Sequence, residues 1–442
     1  MTRLFGTDGV RGVANRDLTP ELAFSMGRAA AVVLGADERP LVVIGRDTRV
    51  SGPMLQAALA AGVCSAGGDV VRVGVVPTPA VAFMTGDLGA AAGAVISASH
   101  NPPEDNGIKF FSGEGLKLPD GVEDDIERLV RGGDGPRPEG EAIGAVTDDA
   151  EEVERYLDHV VTAAEGPLEG MRVVVDCANG AAYRLAPEAL RRLGANVLAM
   201  NAEPDGRRIN LGCGATSPDV VAAAVQDLGA DAGVAFDGDA DRALFADSSG
   251  NVVDGDQVIA ACALSMKREG RLPNDTVVVT VMANLGLRRA MEDHGIVVLE
   301  TPVGDRYVLE EMRRSGAALG GEQSGHVIFL DRATTGDGLL TAVRFLSLAA
   351  RGGSSVGELA ASMRRFPQVL ENVSTDDPAA AAASATVEGA VREAERALRD
   401  RGRVLVRPSG TEAVVRVMVE AETEDEARAH AEAIADAVRV GS

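Results

Sequence analysis

Tryptophan is absent from this chain of 442 residues, and aromatic residues make up only 3% of it. Hydrophobic cores must therefore be built from Val, Leu, Ile and Ala. Cysteine is also scarce, and no two cysteines form a Cys-x-x-Cys pair: they are Cys64, Cys177, Cys213 and Cys262. This spacing argues against a disulfide framework and a cysteine zinc site, so we expect reduced, buried thiols of a cytoplasmic protein.

Positive charge is in short supply as well, since the net charge is −24. That balance argues against a general nucleic-acid or anionic-membrane surface, because both require a basic field. The chain lacks the run of about 18 apolar residues that spans a membrane. Its first residues, MTRLFGTDGVRG, contain no apolar signal segment. We therefore expect a cytoplasmic protein without nucleic-acid or membrane partners.

What the chain does have is a repeated pattern of a β-branched strand, a polar turn, a helix and a second strand. The pattern begins at residues 41–52, 171–182 and 275–286. Continuous apolar strands that alternate with helices predict mostly parallel α/β sheets. Three copies favour three related α/β domains, although strand–turn–helix units are common in unrelated proteins too.

The last part of the chain has a different pattern. Residues 377–402 predict one helix, residues 403–420 two strands around a polar turn, and residues 423–440 a capped amphipathic helix. This is an α+β domain. We place the four domains at residues 1–150, 151–252, 253–365 and 366–442.

A first candidate site follows an apolar run, Ala90 to Ile96, which predicts a buried strand. The run breaks into a segment that places Ser99 beside His100 and ahead of two prolines, with Lys109 further on. Strand ends in α/β sheets present loops to ligands. A serine hydroxyl needs activation to carry a phosphoryl group, and a lone Ser-His pair usually has no such role.

A second candidate site holds carboxylates at alternate positions, Asp237, Asp239 and Asp241, directly after another apolar strand. Three converging carboxylates repel one another unless a hard cation lies between them, and Mg²⁺ suits such oxygen ligands. Arg242 could hold a phosphate beside the same ion. The alternative is an acidic hairpin turn, while an EF-hand is disfavoured because no Glu stands at the twelfth loop position.

Two further loops are candidates for binding a phosphorylated sugar. The segment RPSGTEAVVR carries guanidiniums, hydroxyls and a flexible glycine suited to a phosphate dianion: Arg407, Ser409, Gly410, Thr411 and Arg416. In LGGEQSGHVIF the residues Glu322, Ser324 and His326 alternate, so they would point the same way in an extended segment. The competing interpretations are an exposed hairpin turn and a solvated loop.

Taken in this order, the motifs ISASHNP, DGDADR, GEQSGH and RPSGTE resemble the α-D-phosphohexomutase superfamily over nearly the full length of the chain. The resemblance implies three similar α/β domains and a C-terminal α+β domain around a central cleft. Within the superfamily, TDGVRG, GDRYVLE and Gln323 resemble the bacterial branch that acts on glucosamine phosphate. Ala413 departs from the usual Gly-Thr-Glu-Pro loop, and we expect altered loop stiffness rather than lost function.

The resemblance implies an isomerase that interconverts glucosamine 6-phosphate and glucosamine 1-phosphate, which supplies UDP-N-acetylglucosamine and cell-wall precursors. Ser99 would carry a phosphoryl group and pass through a glucosamine 1,6-bisphosphate intermediate, which also serves as activator. One Mg²⁺ per chain would lie between phosphorylated Ser99 and the three aspartates, with Arg242 beside them. Lys109 and His326 are the general acid/base candidates, and His100 supports the serine loop.

The resemblance also assigns the substrate-binding residues. Arg407, Ser409, Gly410, Thr411 and Arg416 would hold the phosphate that is not reacting, and the sugar would be bound by Arg11, Gly304, Asp305, Glu322 and Ser324. Other interpretations stay open: a phosphomannomutase/phosphoglucomutase, a non-catalytic sugar-phosphate sensor, or a phosphatase with an aspartate nucleophile. The sequence leaves the oligomeric state open, with a homodimer as one option.

Overall fold

A computed structural model describes residues 3–6, 8–35, 39–132, 135–149, 151–409 and 413–440. The chain forms two compact units. The first contains Met1–Val281 and Val297–Ala361, and the second contains Met282–Ile296 and Ser362–Ser442. Among the described residues, we find no helix with the length and apolar character needed to cross a membrane.

The first unit contains most of the helices and strands. Its strands are β1 (Val10–Val13), β2 (Leu41–Arg46), β3 (Asp69–Val75), β4 (Ala92–Ile96), β5 (Asp105–Ser112), β6 (Val146–Asp148), β7 (Arg172–Asp176), β8 (Asn196–Met200), β9 (Ala232–Phe236), β10 (Ala243–Asp247), β11 (Val252–Val253), β12 (Thr276–Thr280), β13 (Val297–Thr301), β14 (Leu319–Gly321) and β15 (Val327–Phe329). Its helices are α1 (Pro20–Leu34), α2 (Gly52–Ser65), α3 (Thr78–Asp87), α4 (Asp120–Gly132), α5 (Glu151–Val161), α6 (Leu185–Arg192), α7 (Pro218–Leu228), α8 (Gly255–Arg268), α10 (Asp305–Ser315), α11 (Gly338–Gly352) and α12 (Val356–Ala360).

The second unit is smaller. It contains the helices α9 (Leu285–Asp293), α13 (Pro378–Ala382), α14 (Ala385–Leu398) and α15 (Glu424–Val440), and the strands β16 (Gln368–Ser374), β17 (Arg403–Pro408) and β18 (Val414–Glu420). Short 3₁₀ helices complete the two units at Gly140–Ala142, Ala181–Tyr183, Gly214–Thr216, Pro273–Asp275 and Arg399–Arg401.

The predicted repeat is confirmed by the sheets of the first unit. Their strand orders are β1-β5-β4-β2-β3-β6, β11-β10-β9-β7-β8 and β13-β12-β14-β15. All three sheets share a core of four strands in the same order: β3-β2-β4-β5, β8-β7-β9-β10 and β13-β12-β14-β15. In each core the first three strands are parallel and the fourth is antiparallel. The sheets are thus mixed and mostly parallel, as expected.

Three of the four predicted site motifs occupy the same place in this repeat. They lie in the turns between the third and fourth strands of each core, at residues 97–104, 237–242 and 322–326. The strands before the first two turns, β4 and β9, are buried along their whole length. Because the chain leaves a buried strand and reverses at once, the polar residues gather at one edge of each sheet.

The cores are aliphatic, as the shortage of aromatic residues predicts. One large cluster joins the first sheet to α1 and α2 through side chains such as Ile44, Leu55, Ala94 and Ile96. The four cysteines are free and buried, which confirms the expectation for the thiols.

The second unit folds as an α+β structure around the antiparallel sheet β16-β18-β17. The prediction of one helix over residues 377–402 is wrong, because the structure has two helices, α13 and α14, separated by a break. Ala383 caps the end of α13, and Ser384 caps the start of α14, since its hydroxyl accepts a hydrogen bond from the Val387 amide at 3.3 Å. The predicted final helix is confirmed as α15.

Candidate active site

Ser99 lies in the turn after β4 and is 1% exposed. Its φ of 51° is in the left-handed region, which a non-glycine residue occupies only when its surroundings hold it there. The Ser99 amide donates to the Ser97 hydroxyl at 2.9 Å, and that hydroxyl donates to Asp47 at 2.6 Å. Ser97 therefore supports the loop, and its own hydroxyl proton is used in the hydrogen bond to Asp47.

A buried arginine fixes the carbonyl groups of the same loop. Arg49 pairs with Asp47 at 2.9 Å, and both side chains are fully buried. Its guanidinium donates to the carbonyl oxygens of Ser99, Asn101, Pro102 and Asp105. Asn210, from the segment that precedes α7, donates to the Ser99 carbonyl at 2.8 Å. Sequence reasoning did not identify Arg49 or Asn210, because neither lies in one of the four motifs and nothing in the sequence near them indicates a contact with the Ser99 loop.

The three aspartates converge as predicted. One carboxylate oxygen from each of Asp237, Asp239 and Asp241 lies within 4.8 Å of the others, and all three residues are buried. The Ser99 hydroxyl donates to Asp237 Oδ2 at 2.6 Å. The turn also needs small residues: a Cβ on Gly238 would lie 2.6 Å from the Ser99 carbonyl oxygen, and Ala240 has a φ of 56°.

Burial and mutual repulsion dominate the electrostatics of this cluster. Burial raises the pKa of Asp237 well above its ordinary value, and the nearby charges of Asp241 and Asp239 raise it further. The pKa of Asp241 is raised by burial and by Asp239. Burial acts on Asp239 in the same direction, but the Lys109 ammonium and the Thr78 hydroxyl bring its pKa below the ordinary value. Three buried carboxylates at these distances strongly favour a cation among them.

The donor set fits a hard divalent cation. Thr78 donates at 2.6 Å and Lys109 at 3.2 Å to the same oxygen of Asp239, Oδ2. The other oxygen, Oδ1, and the Oδ1 of Asp241 are buried without a hydrogen-bond partner among the described residues. Unshared carboxylate oxygens of this kind are the ligands that Mg²⁺ prefers. Arg242, whose pKa is raised despite burial by Asp241 and Asp237, lies 3.8 Å from Asp241.

His100 has the character of a neutral supporting group. Its Nδ1 lies 3.4 Å from the Ser99 hydroxyl. Burial lowers the pKa of His100 to about 4, and the cations Arg242 and Arg11 act in the same direction. At neutral pH the imidazole is therefore uncharged, in keeping with its predicted support of the serine loop.

A chain of alternating charges extends from the aspartates to His326. Lys109 lies 3.1 Å from Asp8, and Asp8 lies 2.8 Å from Lys117. Lys117 also contacts Asp305, which lies 3.3 Å from His326 Nε2. Sequence reasoning missed Thr78, Asp8 and Lys117. Asp8 lies within the TDGVRG motif, so the sequence could have indicated it as a site residue. Thr78 and Lys117 lie in no motif that could have done so.

Arg11 and Gly304 also lie near this series of alternating charges. Arg11, on β1, contacts Asp8 and donates to the Asn101 side chain at 3.2 Å. The Gly304 amide, at the start of α10, donates to Glu322 Oε1 at 3.3 Å. The predicted sugar-binding residues Arg11, Gly304, Asp305 and Glu322 therefore belong to one connected cluster of contacts in the first unit.

The segment with Glu322, Ser324 and His326 is not extended, so that interpretation is wrong. It is a tight turn between β14 and β15, in which the Glu322 amide donates to the His326 carbonyl at 2.9 Å. Gly325, with a φ of 91°, permits the reversal, and its carbonyl accepts from the Ala243 amide at 3.1 Å. The second and third hairpin turns therefore touch, as the first and second do through Ser99 and Asp237.

The remaining predicted phosphate-binding residues lie in the second unit. Arg407 and Arg416 stand directly opposite each other on β17 and β18. Like charges at such positions repel, and burial together with Arg416 lowers the pKa of Arg407. Ser409 joins the strands through its amide, which donates to the Val414 carbonyl at 2.9 Å. Gly410 and Thr411 lie outside the described residues. A facing arginine pair of this kind is typical of an anion site.

Family comparison assigns the class of protein. Models for domains I, II and III of phosphoglucomutase/phosphomannomutase match residues 2–136, 154–250 and 254–366, and the model for the C-terminal domain matches residues 370–437. These matches cover most of the chain, which therefore belongs to the phosphoglucomutase/phosphomannomutase family. The family expected from the four motifs is confirmed.

Within this family, the chain is similar over nearly its whole length to curated phosphoglucosamine mutases. Phosphoglucosamine mutase of Symbiobacterium thermophilum is 55% identical over 99% of this chain and 99% of that protein. Phosphoglucosamine mutases of Moorella thermoacetica and Thermobifida fusca are each 56% identical, over 96% and 99% of this chain and 97% and 98% of theirs. The expected enzyme class, an isomerase of this superfamily, is confirmed by these relatives.

Solved structures agree on the fold. A phosphoglucomutase/phosphomannomutase family protein of Burkholderia thailandensis is similar with a TM-score of 0.82 and 26% identity, over 100% of this chain and 98% of that one. The N-acetylphosphoglucosamine mutase of Aspergillus fumigatus, solved with GlcNAc-6P and magnesium, has a TM-score of 0.72 at 18% identity, over 99% and 96% of the two chains. At that identity the likeness concerns the fold alone.

Proposed function

We propose that this chain is a phosphoglucosamine mutase that interconverts glucosamine 6-phosphate and glucosamine 1-phosphate. Ser99 carries the phosphoryl group, and glucosamine 1,6-bisphosphate is the intermediate and the activator. The choice of sugar is supported by relatives that are 54–56% identical over nearly the whole chain and bear that name. The product serves the synthesis of nucleotide-activated amino sugars.

One observation carries the proposed chemistry: the Ser99 hydroxyl donates to Asp237 at 2.6 Å, inside a cluster of three buried carboxylates. An ordinary structural serine has no need of such surroundings. A phosphoserine does, because a cation held by the carboxylates offsets its charge. A non-catalytic sugar-phosphate sensor would gain nothing from this arrangement.

Each transfer exchanges one P–O bond for another. The sugar hydroxyl attacks the phosphorus on Ser99, the P–Oγ bond breaks, and the hydroxyl proton passes to a base as Ser99 Oγ regains a proton. We assign His326 and Lys109 as the candidate acid/base groups. The second transfer runs in reverse and returns the other phosphate of the bisphosphate to Ser99.

The metal site would be formed by Asp237, Asp239, Asp241 and the phosphate on Ser99. A bound Mg²⁺ would offset the charge of the transferring group. Lys109 and Thr78 hold Asp239 through one oxygen, which leaves the other directed away from them. Arg242 adds a cation beside the same carboxylates.

Recognition of the rest of the substrate falls to two sets of residues. Arg11, Gly304, Asp305, Glu322 and Ser324 bind the sugar, and the phosphate that does not react is bound by Arg407, Ser409, Gly410, Thr411 and Arg416. The facing pair Arg407 and Arg416 supports the second assignment, because a phosphate between them would relieve their repulsion.

The proposal is tested by side-by-side turnover of glucosamine, glucose and mannose 6-phosphates, together with the intact mass of the protein before and after bisphosphate treatment. We expect glucosamine phosphate to give the highest kcat/KM, and one added phosphoryl group that maps to Ser99. Preferred turnover of glucose or mannose phosphate would assign the chain to the other branch. Steady release of phosphate without a bisphosphate intermediate would instead indicate a phosphatase.

A further inference from the structure

We propose that Lys117 is a positioning residue for the reaction: it acts through Asp305 to set the orientation and the protonation of His326. This inference rests on the proposed function only in giving His326 a proton to transfer. It arises from the contacts of Lys117, a residue that lies outside every motif identified in the sequence.

The Lys117 ammonium lies between two carboxylates. It is 2.8 Å from Asp8 Oδ1 and in contact with Asp305 Oδ2, and 12% of its side chain is exposed. These carboxylates belong to distant parts of the chain, the segment before β1 and the start of α10. Lys117 therefore ties both to the turn that follows β5.

The protonation states of Asp305 and Lys117 are determined by the charges beside them. Burial raises the pKa of Asp305, but Lys117 and then His326 outweigh it, so the pKa is lowered and the group is ionised at neutral pH. The pKa of Lys117 is raised by Asp305 and Asp8 despite its burial. Asp305 thus presents to the imidazole a carboxylate whose charge is largely shared with an ammonium.

His326 is well placed to respond to this carboxylate. Its Nε2 lies 3.3 Å from Asp305 Oδ2 and 3.2 Å from the Gly336 amide nitrogen: without a proton Nε2 accepts from that amide, and with a proton it can donate to Asp305 instead. Its Nδ1 is buried without a hydrogen-bond partner among the described residues. One ring nitrogen is therefore held by its neighbours, and the other has a hydrogen-bonding position to spare.

Other charges also face the ring and must be counted. Asp241 approaches from the second hairpin turn and interacts with His326 electrostatically. Asp337 follows Gly336, and its pKa is raised to about 6 by burial. Lys109 reaches Asp8 and Asp241 from β5. Among these groups, Asp305 is the one within contact distance of a ring nitrogen, and Lys117 controls how much of its charge the ring experiences.

The experiment follows the imidazole directly. The chain has five histidines, so ¹⁵N-histidine spectra are simple, and His326→Gln assigns the resonance. Spectra are recorded from pH 5 to 9 for wild type, Lys117→Met, Lys117→Arg and Asp305→Asn. The matched control is Lys267→Met, which removes an ammonium 3.0 Å from Asp275 in a half-exposed pair.

We expect opposite shifts from the two neutralising variants. Lys117→Met leaves the Asp305 charge unshared and Asp305→Asn removes that charge, so the two variants should move the ¹⁵N resonances of the His326 ring in opposite directions. The acid-side inflection of the kcat profile should move with these resonances. In Lys117→Met, KM should change by less than about twofold because Lys117 is assigned no substrate contact, whereas Asp305→Asn removes a group assigned to the sugar and should also raise KM. Lys117→Arg should stay close to wild type, as should Lys267→Met.

The proposal fails if the His326 resonances of folded Lys117→Met match those of Lys267→Met. If Lys117→Met does not fold, Asp305→Asn provides the test. His326 resonances in Asp305→Asn that match those of wild type would also overturn the proposal. Because the spectra are recorded without substrate, a different sugar preference would overturn the proposed function and leave this result intact. Shifted resonances with an unmoved kcat profile would refute the link from Lys117 to catalysis.

Discussion

Ser99 and Ser97 lie two residues apart, yet the structure gives them different partners. Ser97 donates to the buried Asp47, whereas Ser99 donates to Asp237 in the acidic cluster. A phosphoryl group on Ser99 would meet the cation site, and one on Ser97 would displace the contact that supports the loop. The hydroxyl best placed to carry phosphate is therefore that of Ser99.

Replacing Ser99 by alanine should leave the thermal unfolding midpoint within about 2 °C of wild type and lower kcat by at least about a thousandfold, or ~4 kcal/mol of barrier. The loss follows from removing the group that carries the phosphate. Phosphopeptide mapping provides the check, with Ser97→Ala as the companion variant that keeps the Ser99 phosphate. Finding the phosphate on Ser97 alone would contradict the assignment.

Thr78 shows how a residue beyond the cation site can matter. Its hydroxyl donates to Asp239 Oδ2, and its amide donates to the Asp239 carbonyl. Both bonds restrict the rotation of a carboxylate whose other oxygen is the candidate ligand. Second partners of this kind orient metal ligands in many proteins.

Thr78→Val, which removes the hydroxyl at nearly constant volume, should weaken Mg²⁺ binding by about 10–100-fold. Thr85→Val is the matched control, because Thr85 lies on the same helix and its hydroxyl donates to the Val81 carbonyl and to no carboxylate among the described residues. The measurement is a Mg²⁺ titration by calorimetry, alongside Asp241→Asn, which removes a ligand outright. Equal affinity in Thr78→Val and Thr85→Val would rule out an orienting role.

Among the larger elements, the hairpin turns of the three sheets carry Ser99, the three aspartates and His326, which are central to the proposed reaction. The first two turns approach so closely that only glycine fits at position 238. A Cβ there would lie 2.6 Å from the Ser99 carbonyl oxygen and 2.9 Å from the Asn210 side chain. The two turns are therefore spaced by backbone contact, which is stiffer than contact between side chains.

Gly238→Ala should push the aspartate turn away from Ser99 and lower kcat about a hundredfold, since displacements of about 1 Å can have effects of this size. Gly121→Ala in α4 is the control, because a Cβ there meets no atom within 4 Å. Activity assays and thermal unfolding of both variants give the comparison. Wild-type kcat in a folded Gly238→Ala variant would show that the close spacing is not needed.

For the molecule as a whole, the residues named in the proposed function are divided between the two compact units. Ser99, the aspartates and His326 belong to the first, and the facing arginines belong to the second. The predicted phosphoryl-transfer residues therefore belong to the first unit, and the predicted phosphate-binding arginines belong to the second. The division of the chain into four domains at residues 150, 252 and 365 stays a prediction.

Arg416→Ala should raise KM by about tenfold to a hundredfold, because a charge-assisted hydrogen bond to phosphate contributes ~1.5–3 kcal/mol. More bisphosphate should escape before the second transfer, so activity should depend more strongly on added glucosamine 1,6-bisphosphate. Kinetics at saturating Mg²⁺, with and without bisphosphate, measure both effects. Arg428→Ala, which removes a half-exposed pair with Glu424 on α15, is the control. An unchanged KM and an unchanged need for bisphosphate would show that Arg416 does not hold phosphate.

Local patterns in the sequence determined the fold class, the threefold strand repeat, the aliphatic cores and the family. They also identified Ser99 and the three aspartates as candidate residues, because strand periodicity and short motifs are properties of neighbouring residues. The single helix expected over residues 377–402 was wrong for a local reason as well, because Ser384 caps the start of a second helix within that range.

Only the tertiary structure decided which distant groups meet. Thr78, Arg49, Asn210 and Lys117 lie in ordinary stretches, and each acquires its partner through chain segments far away in sequence. The hairpin at residues 322–326 was missed because alternation predicts an extended segment, whereas the glycine at 325 and the pairing of β14 with β15 make a turn. Long-range pairing of this kind depends on how whole sheets pack, and a local sequence pattern carries no record of it.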